Sequence, residues 1–252
     1  MLGFNGGLMG VRRVPTQGIA SGLWSQNEQS AAKRVGIWPL SNDPYWANVS
    51  LLLHMDGSDG STTFTDSSSN GLSMTLTGSI ALSTSQIKYG SASGGFTAGK
   101  LTAPSSSALS MDGDFTIEFW VYRTGTTGDF DTTVSATNEA NFMIRSSLIN
   151  PGIYPGGGSN SITNTLSFTL NTWHHIAVVR NAGTYKAFKD GTDITTSTYT
   201  DFSTRDFSGL IIGGSSVSGR YFVGYIDEFR ITKGVARYTT NFTPPGAAFP
   251  DD

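Results

Sequence analysis

The run Gly224-Tyr225-Ile226-Asp227-Glu228-Phe229-Arg230-Ile231-Thr232-Lys233-Gly234 constrains the fold more than any other stretch. It is rich in aromatic and β-branched residues and bounded by two glycines, which is the signature of a strand. Both alternating sets carry apolar side chains. Tyr225, Phe229 and Ile231 fall in one set with Asp227; Ile226 falls in the other with Glu228 and Arg230. A strand of that kind is expected at the centre of a sheet, one face in a core and the other over a partly polar surface.

The rest of the chain repeats this theme. Phe115, Ile117, Phe119 and Val121 alternate with Thr116, Glu118, Trp120 and Tyr122, and the first set reads as core. Further strands are predicted at 50–55, 72–77, 80–82, 95–97, 100–103, 132–136, 142–147, 165–170, 174–180, 210–213 and 221–223. Tyr185–Lys189 and Thr192–Thr196, joined by Asp190-Gly191, read as a hairpin with a tight turn. Many short strands and no crossover helices exclude a parallel sheet. The expected fold is all-β, a two-sheet antiparallel jelly-roll sandwich, preceded by an extended N-terminal arm containing one short helix.

The arm is residues 1–45, and the β domain with its C-terminal tail is 46–252. Met1 to Gly10 has too many glycines and no period. Ser25 to Glu28 is a capping-box pattern, so a helix is expected over 26–35, closed by Lys33, Arg34 and Gly36. Trp24, Val35, Ile37 and Trp38 surround it and need a surface to bury against. That surface is either the chain's own β domain or another protein.

Composition narrows the function classes. The net charge of −3 argues against nucleic-acid binding through a basic face. The absence of cysteine removes disulfides and Cys-bearing zinc sites. No apolar run is long enough to insert in a membrane. Met1 to Val14 places its charges after a broken apolar stretch, the reverse of a secretory signal. Release by lysis, inside a virus particle, needs no such signal.

Four ordered segments carry a family resemblance: Leu51-Leu52-Leu53-His54-Met55-Asp56-Gly57, Asp114 to Val121, Trp173 to Arg180, and Gly224 to Tyr238 followed by Phe242-Thr243-Pro244-Pro245. Together they resemble the laminin-G-like domains of the concanavalin A-like lectin/glucanase superfamily, especially those of bacteriophage structural proteins. Gly22 to Trp38 is similar to a short segment that recurs in such proteins. The resemblance implies a non-enzymatic virion protein on the particle's outer surface, a capsid decoration or a tail or fibre component. Arg12, Arg13, Trp24 and Trp38 would then attach it to other capsid or tail proteins, in an arrangement that allows a homo-oligomer. The alternative is a carbohydrate-binding module for cell-surface glycans.

Candidate chemistry follows from residue type. Relatives that hydrolyse β-glucans place Glu, Asp and Glu at alternating positions on one strand, whereas here Glu118 is followed by Trp120 and Tyr122. Asp227 and Glu228 are adjacent, so a regular pleat sends them to opposite faces. No enzyme is therefore expected. His54, His174 and His175 are expected to be packed or surface side chains, since neighbouring strand residues cannot share one ion. Relatives often hold a structural calcium near the first and last strands, which makes Asp56, Asp66 and Asp227 the candidate ligands. The competing reading has Asp56 and Asp66 making Asx turns and Asp227 bonding a neighbouring loop. Trp120, Tyr122 and Trp173 are the aromatic candidates for stacking on a glycan. The sequons at Asn48 and Asn241 occur often by chance.

Overall fold

The computed structural model describes residues 43–125, 131–139, 141–146, 151–156, 160–163 and 166–252. The expected helix over 26–35, together with Arg12, Arg13, Trp24 and Trp38, lies outside the described residues. Ala47–Phe249 is one compact unit; of the other, Met1–Trp46 with Pro250–Asp252, only 43–46 and 250–252 are described.

Among the described residues fourteen strands run in the order β1 Val49–Leu53, β2 Thr75–Ser83, β3 Ser93–Thr102, β4 Ser110–Met111, β5 Phe115–Arg123, β6 Thr132–Ser135 and β7 Met143–Arg145. They continue as β8 Gly152–Tyr154, β9 Trp173–Asn181, β10 Thr184–Lys189, β11 Thr192–Asp193, β12 Arg205–Asp206, β13 Ile211–Ile212 and β14 Gly224–Lys233. Among the described residues the only helical elements are the 3-10 turns Trp46–Asn48 and Ser107–Leu109.

Twelve strands share one antiparallel ladder in the order β11-β10-β9-β5-β14-β3-β13-β6-β7-β8, with β1 added on β14 and β2 on β3. β14 is the central strand. Along one edge it pairs β5; along the other it pairs β3 with its first residues and β1 with its last. β13 pairs both β3 and β6, so the ladder runs without a break from β11 to β8. Phe119 and Val178 near one end of this order, and Val134, Ile144 and Ile153 near the other, bury into the same core cluster. The sheet therefore curls around a single core. Phe115, Ile117, Phe119 and Val121 are all fully buried, each contributing roughly 1.5–3 kcal/mol before entropy.

The β10–β11 hairpin forms as its sequence requires, with Lys189 facing Thr192 across a two-residue loop. Asp190 and Gly191 have φ of +50° and +76°, the pair of positive values a type I′ turn demands. Residues 75–77 of the run 72–77 merge with the run 80–82 into β2, while 72–74 lie before the strand, and a bulge follows Ser79 next to the positive-φ Gly78. No strand forms over 166–170. Thr169 N–H donates to His174 Nε2 and Ser167 O accepts from Lys189 Nζ, so side chains replace a ladder there.

β14 departs from regular alternation. Asp227 faces Trp120 and Arg230 faces Glu118, so Glu228 and Phe229 together oppose the single residue Phe119. This is a β-bulge, and Glu228 sits at a φ of +50°. Phe229 stacks on Phe119 in the core at 5.6 Å. The core members of β14 are therefore Ile226, Phe229 and Ile231. The expected grouping of Tyr225 and Asp227 with Phe229 is corrected: both point away from the core. Asp227 and Glu228 share that outer face, contrary to the regular-pleat expectation.

Candidate functional site

The face turned away from the core divides into a sealed half and an open half. In the sealed half Glu118 accepts from Arg230 Nε at 3.0 Å and Nη2 at 2.7 Å, and from the Tyr238 hydroxyl at 2.8 Å. His175 Nε2 lies 3.4 Å from its second oxygen and Arg237 Nε 3.7 Å from its first. Burial pushes the Glu118 carboxyl up, but Arg230, His175 and Arg237 outweigh it and hold the group at about 2. Asp227 accepts from Lys88 N–H, Tyr89 N–H and Glu228 N–H. Burial, assisted by the charge of Glu228, outweighs those three donors and pushes it up to about 8. Glu228 accepts from Phe249 N–H at 2.7 Å and meets His54 Nδ1 at 2.9 Å.

The C-terminal tail closes this half. Tyr238 and Phe242 stack at 3.6 Å and pack over Ala177, Val179 and Phe188. Phe242 N–H donates to Gly191 O, the Tyr89 hydroxyl donates to Pro245 O, and Arg230 lies 3.8 Å from the Phe249 ring. Glu118 and Glu228 thus sew the tail to the sheet, and neither carboxylate reaches solvent. A glycosidase needs two carboxyls on either side of a bound sugar, one of them able to give a proton. Glu118 is ionised, and Asp227, although protonated at neutral pH, is as fully enclosed as Glu118 and Glu228, so none of the three carboxyls of this face reaches a bound sugar.

Trp120 belongs to the sealed half too. It is 6 % exposed, with Lys88 Nζ 3.8 Å above its ring and Tyr89 and His175 at its edges. The expectation that it stacks on a glycan is corrected on that ground. His174 is held by Asp190 at 2.7 Å through Nδ1.

Each of the three candidate calcium ligands already accepts hydrogen bonds from protein donors, Asp66 and Asp227 on both oxygens and Asp56 on Oδ1 alone. Asp66 accepts from the N–H groups of Leu52, Ser68 and Leu72 and from the Ser68 hydroxyl. Asp56 accepts from Ser91 N–H, the Ser91 hydroxyl and Ala92 N–H. Asp227 has its three N–H donors, as given above. A calcium ion needs six to eight oxygens converging on one point, with no donor hydrogens turned toward it. Among the described residues no three His, Asp or Glu side chains gather as a metal cluster. These residues do not fit calcium.

The open half begins where the tail ends. Trp173 of β9 faces Tyr122 of β5, Tyr122 faces Tyr225 of β14, Tyr225 faces Gly95 of β3, and Gly95 faces Ala81 of β2. These five residues form one register row across five adjacent strands, and all five are partly exposed. The ring centroids are 5.4 Å apart for Trp173–Tyr122 and 5.9 Å for Tyr122–Tyr225. Beyond Tyr225 the row drops to Gly95 and Ala81, the floor of a 520 Å³ groove walled by Asp59, Thr97 and Thr124. The structure thus unites two of the three aromatic candidates and adds Tyr225. The sequence held a signal for it: apolar residues at 226, 229 and 231 are spaced three then two, which betrays the bulge and turns Tyr225 outward.

A model of the laminin-G-like type in the concanavalin A-like lectin/glucanases superfamily matches residues 93–237. Curated protein sequences give no match. Among solved structures the chain is similar to domain 4 of AbnA, a GH43 extracellular arabinanase from Geobacillus stearothermophilus, in complex with arabinotriose. That likeness has a TM-score of 0.58 at 20% identity and covers 75% of this chain and 94% of that one. The binding domain of Paraclostridial Mosquitocidal Protein 1 aligns with a TM-score of 0.56 at 16% identity, covering 75% of this chain and 49% of that one. The binding domain of Botulinum neurotoxin DC, in complex with rat synaptotagmin II, has a TM-score of 0.54 at 16% identity, covering 76% and 49%. The chain spans about half the length of both toxin binding domains. At these identities the likeness establishes the fold alone.

Proposed function

The chain belongs to the concanavalin A-like lectin/glucanases superfamily, and from that premise we propose that it is a non-catalytic glycan-binding module. The observation that carries the reading is the open register row Trp173–Tyr122–Tyr225 beside a groove. Aromatic faces bind the apolar C–H faces of sugars, while the rim hydroxyls of Thr97 and Thr124 supply polar partners. Burial of Glu118 and Glu228 under the tail supports binding without turnover. The arabinanase domain that carries arabinotriose and the toxin binding domains are supporting analogies.

The strand motifs and the segment Gly22 to Trp38 support a setting for this module: display on the outer surface of a bacteriophage particle, as capsid decoration or tail or fibre component. Residues 1–45 would anchor it on other virion proteins through Arg12, Arg13, Trp24 and Trp38, singly or as a homo-oligomer. The curled sheet would serve as the two layers of a jelly roll and present the row outward. No cofactor takes part in this reading.

The test is a broad glycan array read with the full chain and with Tyr122→Ala and Trp173→Ala. Binding that falls in both variants is expected. Silence of the intact protein across the array would remove the glycan reading. Purified virions lacking the protein should take it up again, and no uptake would remove the particle setting.

A further inference from the structure

The shape and charge of the open row narrow its ligand. Stacking places a sugar ring parallel to an aromatic ring, so the ring planes in a row dictate the planes of successive sugars. Here the planes do not agree. Trp173 and Tyr122 are inclined at 57°, and Tyr122 and Tyr225 at 72°. A flat ribbon such as a β-1,4-linked glucan keeps its rings nearly coplanar, and it can lie on only one of these three faces. A chain whose rings turn from one unit to the next can use several.

The direction of the row sets the ligand's direction. Neighbouring strands are ~4.8 Å apart, close to the length of one pyranose unit, so a chain lying across the strands places about one sugar over each. Trp173, Tyr122 and Tyr225 take the first units. Gly95 and Ala81 then lower the floor by the depth of a side chain, and the groove there has room for the next. A Cβ on Gly95 would lie 3.3 Å from Ala81 O and 3.6 Å from Tyr225 Cε1, so any larger residue fills this step. At the groove end of the row, charge disfavours one broad class. Among the described residues lining the groove Asp59 is the single charged side chain, and no lysine or arginine stands there to meet a carboxylate or sulfate.

We propose that the Trp173–Tyr122–Tyr225–Gly95–Ala81 row takes a neutral oligosaccharide with turned ring planes, of at least three units, lying across the strands. This deepens the glycan-binding reading above and rests on it. The family of chains includes β-1,3-linked glucans, α-1,4-linked glucans and arabinans, which share the turned geometry and the lack of charge.

The test is calorimetric titration of the full chain with laminarihexaose, maltohexaose, an arabinohexaose, cellohexaose and hexagalacturonate. At least one of the first three should bind about tenfold or more tighter than cellohexaose, with no binding of the galacturonate. Tyr225→Ala, a partly exposed position whose loss leaves the core intact, should weaken that hexaose by about tenfold; Gly95→Leu should abolish it. Cellohexaose binding as tightly as the best of the turned chains, or galacturonate binding most tightly, overturns the ligand class while leaving a glycan-binding module. Undiminished binding in both variants overturns the site. If none of the five probes binds the intact protein, the glycan reading falls and this inference with it.

Discussion

Replacing Glu118 with glutamine tests the sealed half of the outer face directly. In the folded chain its carboxyl is held at about 2, against an ordinary value of 4.5. A folded pKa below the unfolded one means that the native state binds its proton less readily. The stabilisation is therefore complete above pH 4.5 and is lost as pH falls from there to about 2. At roughly 1.4 kcal/mol per pH unit the depression is worth about 3 kcal/mol, of which about 2 kcal/mol is gone by pH 3. The group is fully buried, so solvent screening does not shrink this figure. Urea unfolding of the native protein and of Glu118→Gln at pH 7, 5, 4 and 3 measures it. Glutamine does not titrate, so the variant should lose about 2 kcal/mol less between pH 5 and 3. Its stability at pH 7 should already be lower by about 3–5 kcal/mol, because Arg230 loses the buried carboxylate that accepts from its Nε and Nη2. Asp227, pushed up to about 8, runs the other way: its contribution falls as pH rises from about 4 to 8. It is present in both proteins and drops out of the difference. Coincident acid slopes for the two proteins would refute the electrostatic role given to Glu118.

Trp120→Phe should cost about 1–3 kcal/mol in chemical denaturation, yet leave glycan affinity unchanged, because Lys88 and Tyr89 enclose that ring. Asp66→Ala orphans three backbone N–H groups and should cost about 2–4 kcal/mol by the same assay. Calcium or a chelator should shift the melting temperature of the native protein by less than about 1 °C, since a bound ion would stabilise the folded state by mass action.

Legibility in the sequence followed from how completely one force dictated a segment. β5 was readable because its apolar residues alternate strictly, and β9 because Ile176-Ala177-Val178-Val179 is a short continuous apolar run of the kind a strand buried on both faces requires. The Asp190–Gly191 turn was readable because few residue pairs accept two positive φ values. The run 165–170 misled because its alternation is the same as that of a strand. What separates it is the pair of side-chain bonds from His174 and Lys189, which no local pattern announces. The candidate site was half legible. Tyr122 and Trp173 stood out by type, whereas the burial of Trp120 depends on Lys88, Tyr89 and His175, none of them local in sequence. The family model at 93–237 accords with the resemblance carried by the β5, β9 and β14 segments.

The bulge at Glu228 connects the two halves of the outer face. Phe229 and Ile231 must point inward to fill the core, and under strict alternation Asp227 and Tyr225 would follow them there. One extra residue reverses the parity of everything before it. Ile226 then turns inward, Asp227 and Glu228 both turn outward, and Tyr225 comes to lie beside Tyr122. The same insertion thus sets the carboxylate that clamps Phe249 N–H and the ring that extends the aromatic row to its third strand. A glutamate held at positive φ is a costly conformation, of the order of 1 kcal/mol or more, and local sequence preference gives no reason for it. What it supports is a tail sealed over one half of the sheet and a row of three rings left open on the other.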